Sequence, residues 1–393
     1  MSGRRWLVIT SSFPRHRRDV AGHFVEKWCR ALVERGHEID VLCWRAEGAN
    51  DQQVERGLRV DFVPYAWRGA ERLFFGAGAP ENLRRKPGRV LLALPAVAAM
   101  VRAALHACER RDYDAVVGHW LVPGGAVARI VGATTGLPVR VVGHSAGVHL
   151  LNRLPKTLGR PLSRWICGAP VTVTTAVLRD GLVKLSGRGD VRVAPMGYEA
   201  APRQVRSIER SAGEGLRLGF LGRLVPIKGL PTVLQVMERL RAEGVELTLE
   251  VVGDGPCRQI WEDKAGEGVE FLGPRFGVEK WRRLARWDAL VMPSTIRKSG
   301  RHEGMPVSVL EAASVGTVPL VSGVPGVERW LVRPKQQIVV GGFEAWRTTL
   351  RWLAGLDEQQ LSRLREETAA KVCELEWGQY SRWWEGWLEG GRG

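Results

Sequence analysis

Two cations and two carboxylates, held in two short segments, are the residues of this chain best suited to chemistry on an anionic ligand. The first segment, Gly222-Arg223-Leu224-Val225-Pro226-Ile227-Lys228-Gly229, lies between an apolar run, Leu216–Leu221, and a stretch with helical spacing, Leu230–Arg241. On a strand-to-helix loop, Arg223 and Lys228 can converge on one polyphosphate, and the helix N-terminus behind them adds its dipole. A solvated basic turn would have the same composition. The second segment, Glu303-Gly304-Met305-Pro306, runs into the apolar helix Val307–Val315, which contains Glu311. Gly304 and Pro306 suit a loop that brings backbone amides close to a ligand at a helix start. If Glu303 lies just before the helix and the rise of about 1.5 Å per residue holds from there, the two carboxylates are separated by about 12 Å along its axis. One ligand could then touch both, with a diphosphate at the helix tip. Glu311 sits in Val309-Leu310-Glu311-Ala312-Ala313, so it is either exposed or held by a specific hydroxyl partner.

Two histidines follow short apolar runs, His119 after Asp114–Gly118 and His144 after Val139–Gly143. Each is a candidate for acid–base or hydrogen-bonding work, and each could equally be a structural hydrogen-bonder. Gly143-His144-Ser145-Ala146-Gly147 also matches the G-x-S-x-G turn of serine hydrolases. That chemistry needs an acid and then a histidine later in the chain, where only His149 and His302 remain. The six cysteines are scattered, with no C-x-x-C pair and no zinc spacing. They fit a reducing, cytoplasmic setting.

The elements that must position these residues alternate. Trp6–Thr10, Glu38–Cys43, Asp114–Gly118, Val139–Gly143 and Val171–Thr174 read as strands between helical stretches, and Val20, Phe24, Trp28 and Leu32 form a helical stripe ended by Gly36. After a polar stretch from Ala200 to Gly215 the pattern restarts with Leu216–Leu221, Val245–Val252, Val269–Leu272, Ala289–Met292 and Val318–Val321. Such alternation predicts parallel, doubly wound sheets. The 393 residues divide into a first Rossmann-like domain, 1–205, a second, 206–372, and a C-terminal helix, 373–393, carrying the aromatic stripe Trp377, Tyr380, Trp384 and Trp387 and packing back on the first domain. Two such domains leave a cleft at their strand C-terminal ends, where open α/β sheets bind ligands.

A net charge of +16 raises the question of nucleic acid, but only ten of the 58 basic residues are Lys, the Arg are spread along the chain, and no nucleic-acid motif occurs. An anionic membrane surface or a phosphorylated substrate remains as an alternative to plain solvation. No run reaches the roughly 20 apolar residues of a membrane span. Val90–Val101 contains Pro95 and reads as a buried or surface-lying helix. With Trp67-Arg68, Leu73-Phe74-Phe75 and Arg84-Arg85-Lys86 it could form a basic, aromatic interfacial patch on the cytoplasmic face, or a hydrophobic core edged by Arg.

The pairing of G-R-L-V-P-I-K-G with E-G-M-P-V-S-V-L-E resembles glycosyltransferase family 4, whose carboxylates are likewise separated by seven residues. Ser11-Ser12-Phe13-Pro14, Ala194-Pro195-Met196-Gly197, Val252-Gly253-Asp254-Gly255-Pro256, Phe271-Leu272-Gly273-Pro274, Met292-Pro293-Ser294 and Gly316-Thr317-Val318-Pro319 fall in the family's order, so the likeness covers nearly the whole chain. It implies the α/β GT-B fold, two facing Rossmann-like domains, and a retaining transfer from a nucleotide sugar to a hydroxyl acceptor, without a metal. By resemblance, Arg223 and Lys228 bind the donor diphosphate, Glu311 the ribose and Glu303 the donor sugar. Gly253, Gly304, Met305, Pro306 and Val307 complete the donor site, and the base packs near Pro274 and Arg275. His119 and His144 are active-site candidates, and Ser12, Phe13, Gly22 and His23 form the acceptor-side loop. Three features depart from the pattern: Gly147 stands where the family's H-G-x-D element has its acid, a basic run Arg15-His16-Arg17-Arg18 follows the first loop, and Arg297, Lys298 and Arg301 precede Glu303. A non-catalytic, glycosyltransferase-like binding subunit is the alternative these departures leave open.

Overall fold

Runs such as Trp6-Leu7-Val8-Ile9 and Val318-Pro319-Leu320-Val321 are apolar on both faces, a pattern buried only by a strand with helices on either side. The computed structural model contains two sheets of this kind. It describes residues 3–390 apart from 17–18, 20, 76–77, 207–214, 298–301, 334–335 and 339–341. The chain forms two compact units, Met1–Met196 with Trp377–Gly393, and Gly197–Glu376.

Among the described residues the first unit holds β1 (Arg5–Thr10), β2 (Glu38–Trp44), β3 (Gln52–Glu55), β4 (Leu58–Val63), β5 (Ala115–His119), β6 (Val139–Gly143), β7 (Val171–Val173) and β8 (Val191–Val193). Their spatial order is β3-β4-β2-β1-β5-β6-β7-β8. All neighbours pair in parallel except β3 and β4, which form an antiparallel hairpin about Arg56-Gly57. No alternation announced β3, because Gln52-Gln53-Val54-Glu55 lies largely exposed at the sheet edge, where polar residues are tolerated.

The second unit holds β9 (Leu216–Leu221), β10 (Leu247–Val252), β11 (Val269–Gly273), β12 (Ala289–Pro293), β13 (Val318–Ser322) and β14 (Gln337–Ile338), in the order β11-β10-β9-β12-β13-β14. All of these pairs are parallel. In both sheets the strand order reverses once near the middle, at β1/β5 and at β9/β12. Crossovers leave in opposite directions at such a point, so no helix covers the crevice at the strand C-terminal ends.

The C-terminal helix, Trp377–Leu388, is part of the first unit. Trp384 meets Trp28 edge-to-face at 5.7 Å, while Glu385 accepts from Arg35 at 2.7 Å and lies 2.9 Å from His37 Nε2. The aromatic stripe is therefore a packing face. The helix read at Val20–Leu32 begins at His23, and Val20 lies outside the described residues. Leu73 is buried, and Phe74 packs on Trp44 at 4.6 Å. This pair therefore belongs to the interior and is removed from any interfacial patch.

Candidate active site

In the second unit the cationic turn leaves β9 at Leu221. Gly222 N donates to Val252 O at 3.0 Å and Leu224 N to Asp254 O at 2.9 Å, which joins the turn to the loop after β10. The approach is close enough that a Cβ on Gly253, whose φ is 143°, would come within 1.9 Å of the Gly222 carbonyl oxygen. Only glycine is accommodated there. A short 3₁₀ turn, Pro226–Lys228, ends on Gly229 in the left-handed region and brings the start of helix Leu230–Ala242 against the end of β12. Thr295 N donates to Ile227 O at 2.8 Å across that contact.

This bracing places Lys228 beside the second segment. Lys228 Nζ lies 2.7 Å from Glu303 Oε2 and 3.5 Å from Met292 Sδ, and both charged side chains are mostly buried. Arg223 is exposed as a residue, yet surrounding atoms desolvate its guanidinium and lower its pKa from the usual value, and it makes no hydrogen bond or ion pair among the described residues. One cation is thus neutralised in place and the other left open, both at the β9/β12 reversal.

Helix Val307–Ser314 starts four residues after Glu303, with Pro306 at its N-cap and no side-chain cap. The 12 Å spacing expected from a helical rise counted from Glu303 is thereby corrected. Only Val307 to Glu311 is helical, a rise of about 6 Å, and Glu303 is carried by the loop with Gly304 and the buried Met305. Glu311 Oε1 lies 2.7 Å from Lys280 Nζ, both largely buried. Lys280, on helix Gly277–Arg286, was not legible in the sequence, because nothing local links it to a carboxylate 31 residues away. Just ahead of that helix, Gly273 is buried with φ 71°, Pro274 is exposed, and Arg275 Nε lies 2.7 Å from Glu279. Arg297 is exposed, whereas Lys298 and Arg301 lie outside the described residues.

In the first unit, the loop after β1 is closed by Gly22. Its φ is 71°, and an added Cβ would sit 2.3 Å from Ser12 O. Phe13 is buried beneath this turn, and His23 opens helix His23–Val33, with Nδ1 3.7 Å from Glu26. Arg15 binds Asp19 at 2.5 Å; Arg17 and Arg18 lie outside the described residues.

His119 ends β5, and His144 follows β6. Their rings stack at 5.5 Å and 17°, with His119 Nδ1 3.3 Å from His144 Nε2. Phe24, Trp28 and Trp120 enclose the pair. His119 is 0% exposed and His144 8%, so both rings are buried. Burial pushes the His144 imidazole down to about 3. Burial, and secondarily the neighbouring His144, hold His119 well below its usual value. Both rings are therefore neutral near pH 7 and act as hydrogen-bonding groups.

A group whose folded pKa is depressed contributes stability that is present above its unfolded value, about 6.5 for His, and lost as pH falls below it. Each buried ring should thus cost about 1.4 kcal/mol per pH unit between pH 6.5 and the folded value. Denaturation at successive pH values should show a shallower acid loss in His144→Gln than in the unsubstituted chain. Equal slopes would show that folding does not lower the pKa of His144.

Ser145 opens helix Ser145–Arg153. The only non-glycine residue with positive φ among the described residues is Trp120, so Ser145 lacks the strained turn of a hydrolase nucleophile, and its neighbour His144 faces His119. The hydrolase reading fails on that geometry. Gly147 is buried, and a Cβ there would lie 3.1 Å from Leu121 N, so a side chain such as the family's acid fits only where Leu121 gives way by a few tenths of an ångström. The metal-free expectation assumes no D-x-D motif, yet Asp112-Tyr113-Asp114 has that spacing. It lies before β5, at the strand end opposite His119, with Asp114 bound by Arg4 at 2.7 Å and by the Arg5 amide at 2.8 Å.

Two doubly wound sheets in one chain, with a cation–carboxylate pair at the reversal point of the second, define a glycosyltransferase of the GT-B class. The profile of the glycosyl transferase 4-like domain matches residues 21–198, and that of glycosyl transferases group 1 matches residues 215–353. Together these span most of the chain, which belongs to glycosyltransferase family 4. It is 26% identical over 353 residues to a Bacillus subtilis (strain 168) protein carrying the name of a teichuronic acid biosynthesis glycosyltransferase, TuaC, covering 84% of this chain and 85% of that one. It is also 26% identical over 342 residues to a GDP-mannose-dependent alpha-(1-6)-phosphatidylinositol monomannoside mannosyltransferase of Mycobacterium tuberculosis (strain ATCC 25618 / H37Rv), covering 82% and 81%. Among solved structures, sucrose-phosphate synthase from Thermosynechococcus elongatus matches with TM-score 0.76 and 17% identity over 98% of this chain and 99% of that one. Anabaena HepE in complex with UDP-glucose matches with TM-score 0.68 and 14% identity, over 98% and 99%.

Proposed function

We propose that this glycosyltransferase moves a sugar from a nucleoside-diphosphate sugar to a hydroxyl acceptor, with retention of anomeric configuration and without a divalent metal. The observation that carries the reading is the Lys228–Glu303 contact of 2.7 Å beside an open Arg223. A donor diphosphate would take Arg223 and Lys228 as its counter-charges, with the uncapped start of helix Val307–Ser314 adding the amides at its tip. Released from part of its pairing, Glu303 would accept hydroxyls of the donor sugar, Glu311 those of the ribose, and the base would pack by Pro274 and Arg275. Gly253 lets the loop after β10 close against the turn that carries Arg223 and Lys228.

In the reaction, the bond from the anomeric carbon to the leaving phosphate oxygen breaks. The acceptor oxygen bonds to that carbon on the same face, and its proton passes to the departing phosphate. Cations aimed at the diphosphate stabilise the charge it gains, which is the work a metal would otherwise do. On the acceptor side the first unit would offer neutral His144, positioned by His119, and the Ser12-Phe13 loop with Gly22 and His23. Gly147 points to an acceptor bound differently from that of family members with an acid there, while leaving the donor site unaffected. The names of two similar proteins, one GDP-mannose-dependent and one complexed with UDP-glucose, fit a nucleotide-sugar donor.

A panel of UDP, GDP and ADP sugars should reveal one nucleotide series that raises the melting temperature, by about 2.7 kcal/mol of stability at 100 times Kd. Turnover of that donor should persist in EDTA, and the product should keep the donor's anomeric configuration by NMR. If no nucleotide sugar stabilises the fold, the donor site is wrong. Binding without transfer to any acceptor would establish the binding-subunit alternative instead.

A further inference from the structure

A second feature of the first unit is not used by the transfer reaction. Helix Ala93–Arg110 attaches to the sheet by one stripe. Ala96, Ala99, Met100 and Ala104 are buried, and Trp44 Nε1 donates to Ala96 O at 2.8 Å. The 3₁₀ turn ahead of it, Pro87–Leu92, and the helix's first turn are apolar yet bare: Val90 is 56% exposed, Leu91 79% and Leu94 82%. Among the described residues, Pro87–Arg110 is the one helical stretch long and apolar enough to cross a membrane. Its buried stripe belongs to the core, however, so lipid could not surround it without unfolding the sheet.

Cations adjoin this ridge. Arg85 and Lys86 immediately precede it and are exposed. A cavity of about 530 Å³ beside it is lined by Arg15, Arg72, Arg85, Lys86 and Arg89, against two carboxylates, Glu47 and Glu71. Glu71 is itself committed to Arg45 at 2.7 Å, and Arg15 is shared with Asp19 and stacks on Phe75 at 4.1 Å. The lining therefore carries an excess of positive charge next to uncovered aliphatic side chains. Apolar side chains that enter the headgroup boundary while neighbouring cations meet lipid phosphates are the two components of interfacial binding.

We infer that this face docks on an anionic phospholipid bilayer, with Val90, Leu91 and Leu94 inserted and Arg72, Arg85, Lys86 and Arg89 on the phosphates. The docking is independent of the donor-site reading. The partner follows from charge complementarity: a bilayer bearing phosphate supplies both the apolar depth and the negative surface, and no free anion supplies the first.

The test is co-sedimentation of the full chain with vesicles of phosphatidylcholine alone or mixed with phosphatidylglycerol, at low and high salt. The chain should prefer the anionic vesicles by at least about 10-fold at low salt and lose most of that preference at high salt. Leu91→Glu/Leu94→Glu should abolish binding on both vesicle types, and Arg85→Glu/Lys86→Glu should remove the anionic preference. Because all four side chains are exposed, melting temperature and stabilisation by nucleotide sugar should match the unsubstituted chain. Equal sedimentation with both vesicle types, or unimpaired binding by Leu91→Glu/Leu94→Glu, overturns the inference. If that variant instead converts a dimer to a monomer on gel filtration while still binding lipid, the ridge covers a second copy and the bilayer assignment falls.

Discussion

Lys228→Ala is expected to lower kcat by about 10²- to 10³-fold, the loss found when one preorganised charge-stabilising donor is removed from a transition state, about 2.7–4 kcal/mol. On the proposed mechanism the charge on the departing diphosphate grows as the anomeric bond breaks, so Lys228 would bind the transition state better than the ground state, and its removal should appear in kcat more than in KM. Lys228 also has a resting partner, Glu303 at 2.7 Å. The variant leaves that carboxylate largely buried beside Met292 without its cation, so a modest fall in melting temperature should accompany the kinetic loss. Lys228→Arg separates the two effects: it restores the charge, and with it the stability, but it cannot reproduce a compact ammonium folded over Gly222 and should recover only part of kcat. Steady-state kinetics and thermal melts on both variants decide the matter. Turnover within a few-fold of normal in Lys228→Ala would remove the cationic turn from the reaction.

Glu311→Ala should act on the other end of the donor, lowering kcat/KM about 10²-fold, chiefly through KM. A carboxylate that accepts two ribose hydroxyls contributes about 1.5–3 kcal/mol per charged hydrogen bond, and those bonds change little along the reaction. In the unliganded chain Glu311 is held by Lys280 at 2.7 Å, so a donor must share or displace that ammonium. A donor with 2′-deoxyribose distinguishes this role from simple structural support. The unsubstituted enzyme should reject it by about 10-fold or more, while Glu311→Ala should treat the two donors alike, because a buried acceptor left without its hydroxyl is what produces the rejection. If discrimination survives in the variant, the ribose is read elsewhere.

The pairs behind these predictions differ in how visible they are along the chain. Arg223 and Lys228 share one turn, and Glu303 and Glu311 one loop and helix, so residue type and spacing alone mark them. The contact of Lys228 with Glu303, across 75 residues, needs β9 and β12 to become neighbours at the reversal point. Lys280 carries no local signal at all. Its helix packs against the one bearing Glu311 because the crossovers β11 to β12 and β12 to β13 run in the same direction across the sheet, which puts both helices on one face. His119 and His144 look equivalent as residues after strands, and only the folded chain stacks their rings together under Phe24, Trp28 and Trp120.

The strands β9 and β6 are bounded in the sequence to the residue, because alternation between apolar runs and helical stripes is a local property set by burial on one or both faces. For the same reason the two α/β units and the chemistry of the donor turn can be read from residue types in order along the chain. Strand order, the edge hairpin β3–β4, the attachment of Trp384 to Trp28 and the bareness of Leu91 and Leu94 cannot. Each depends on which distant surfaces compete for the same apolar face, and only the folded chain settles that competition.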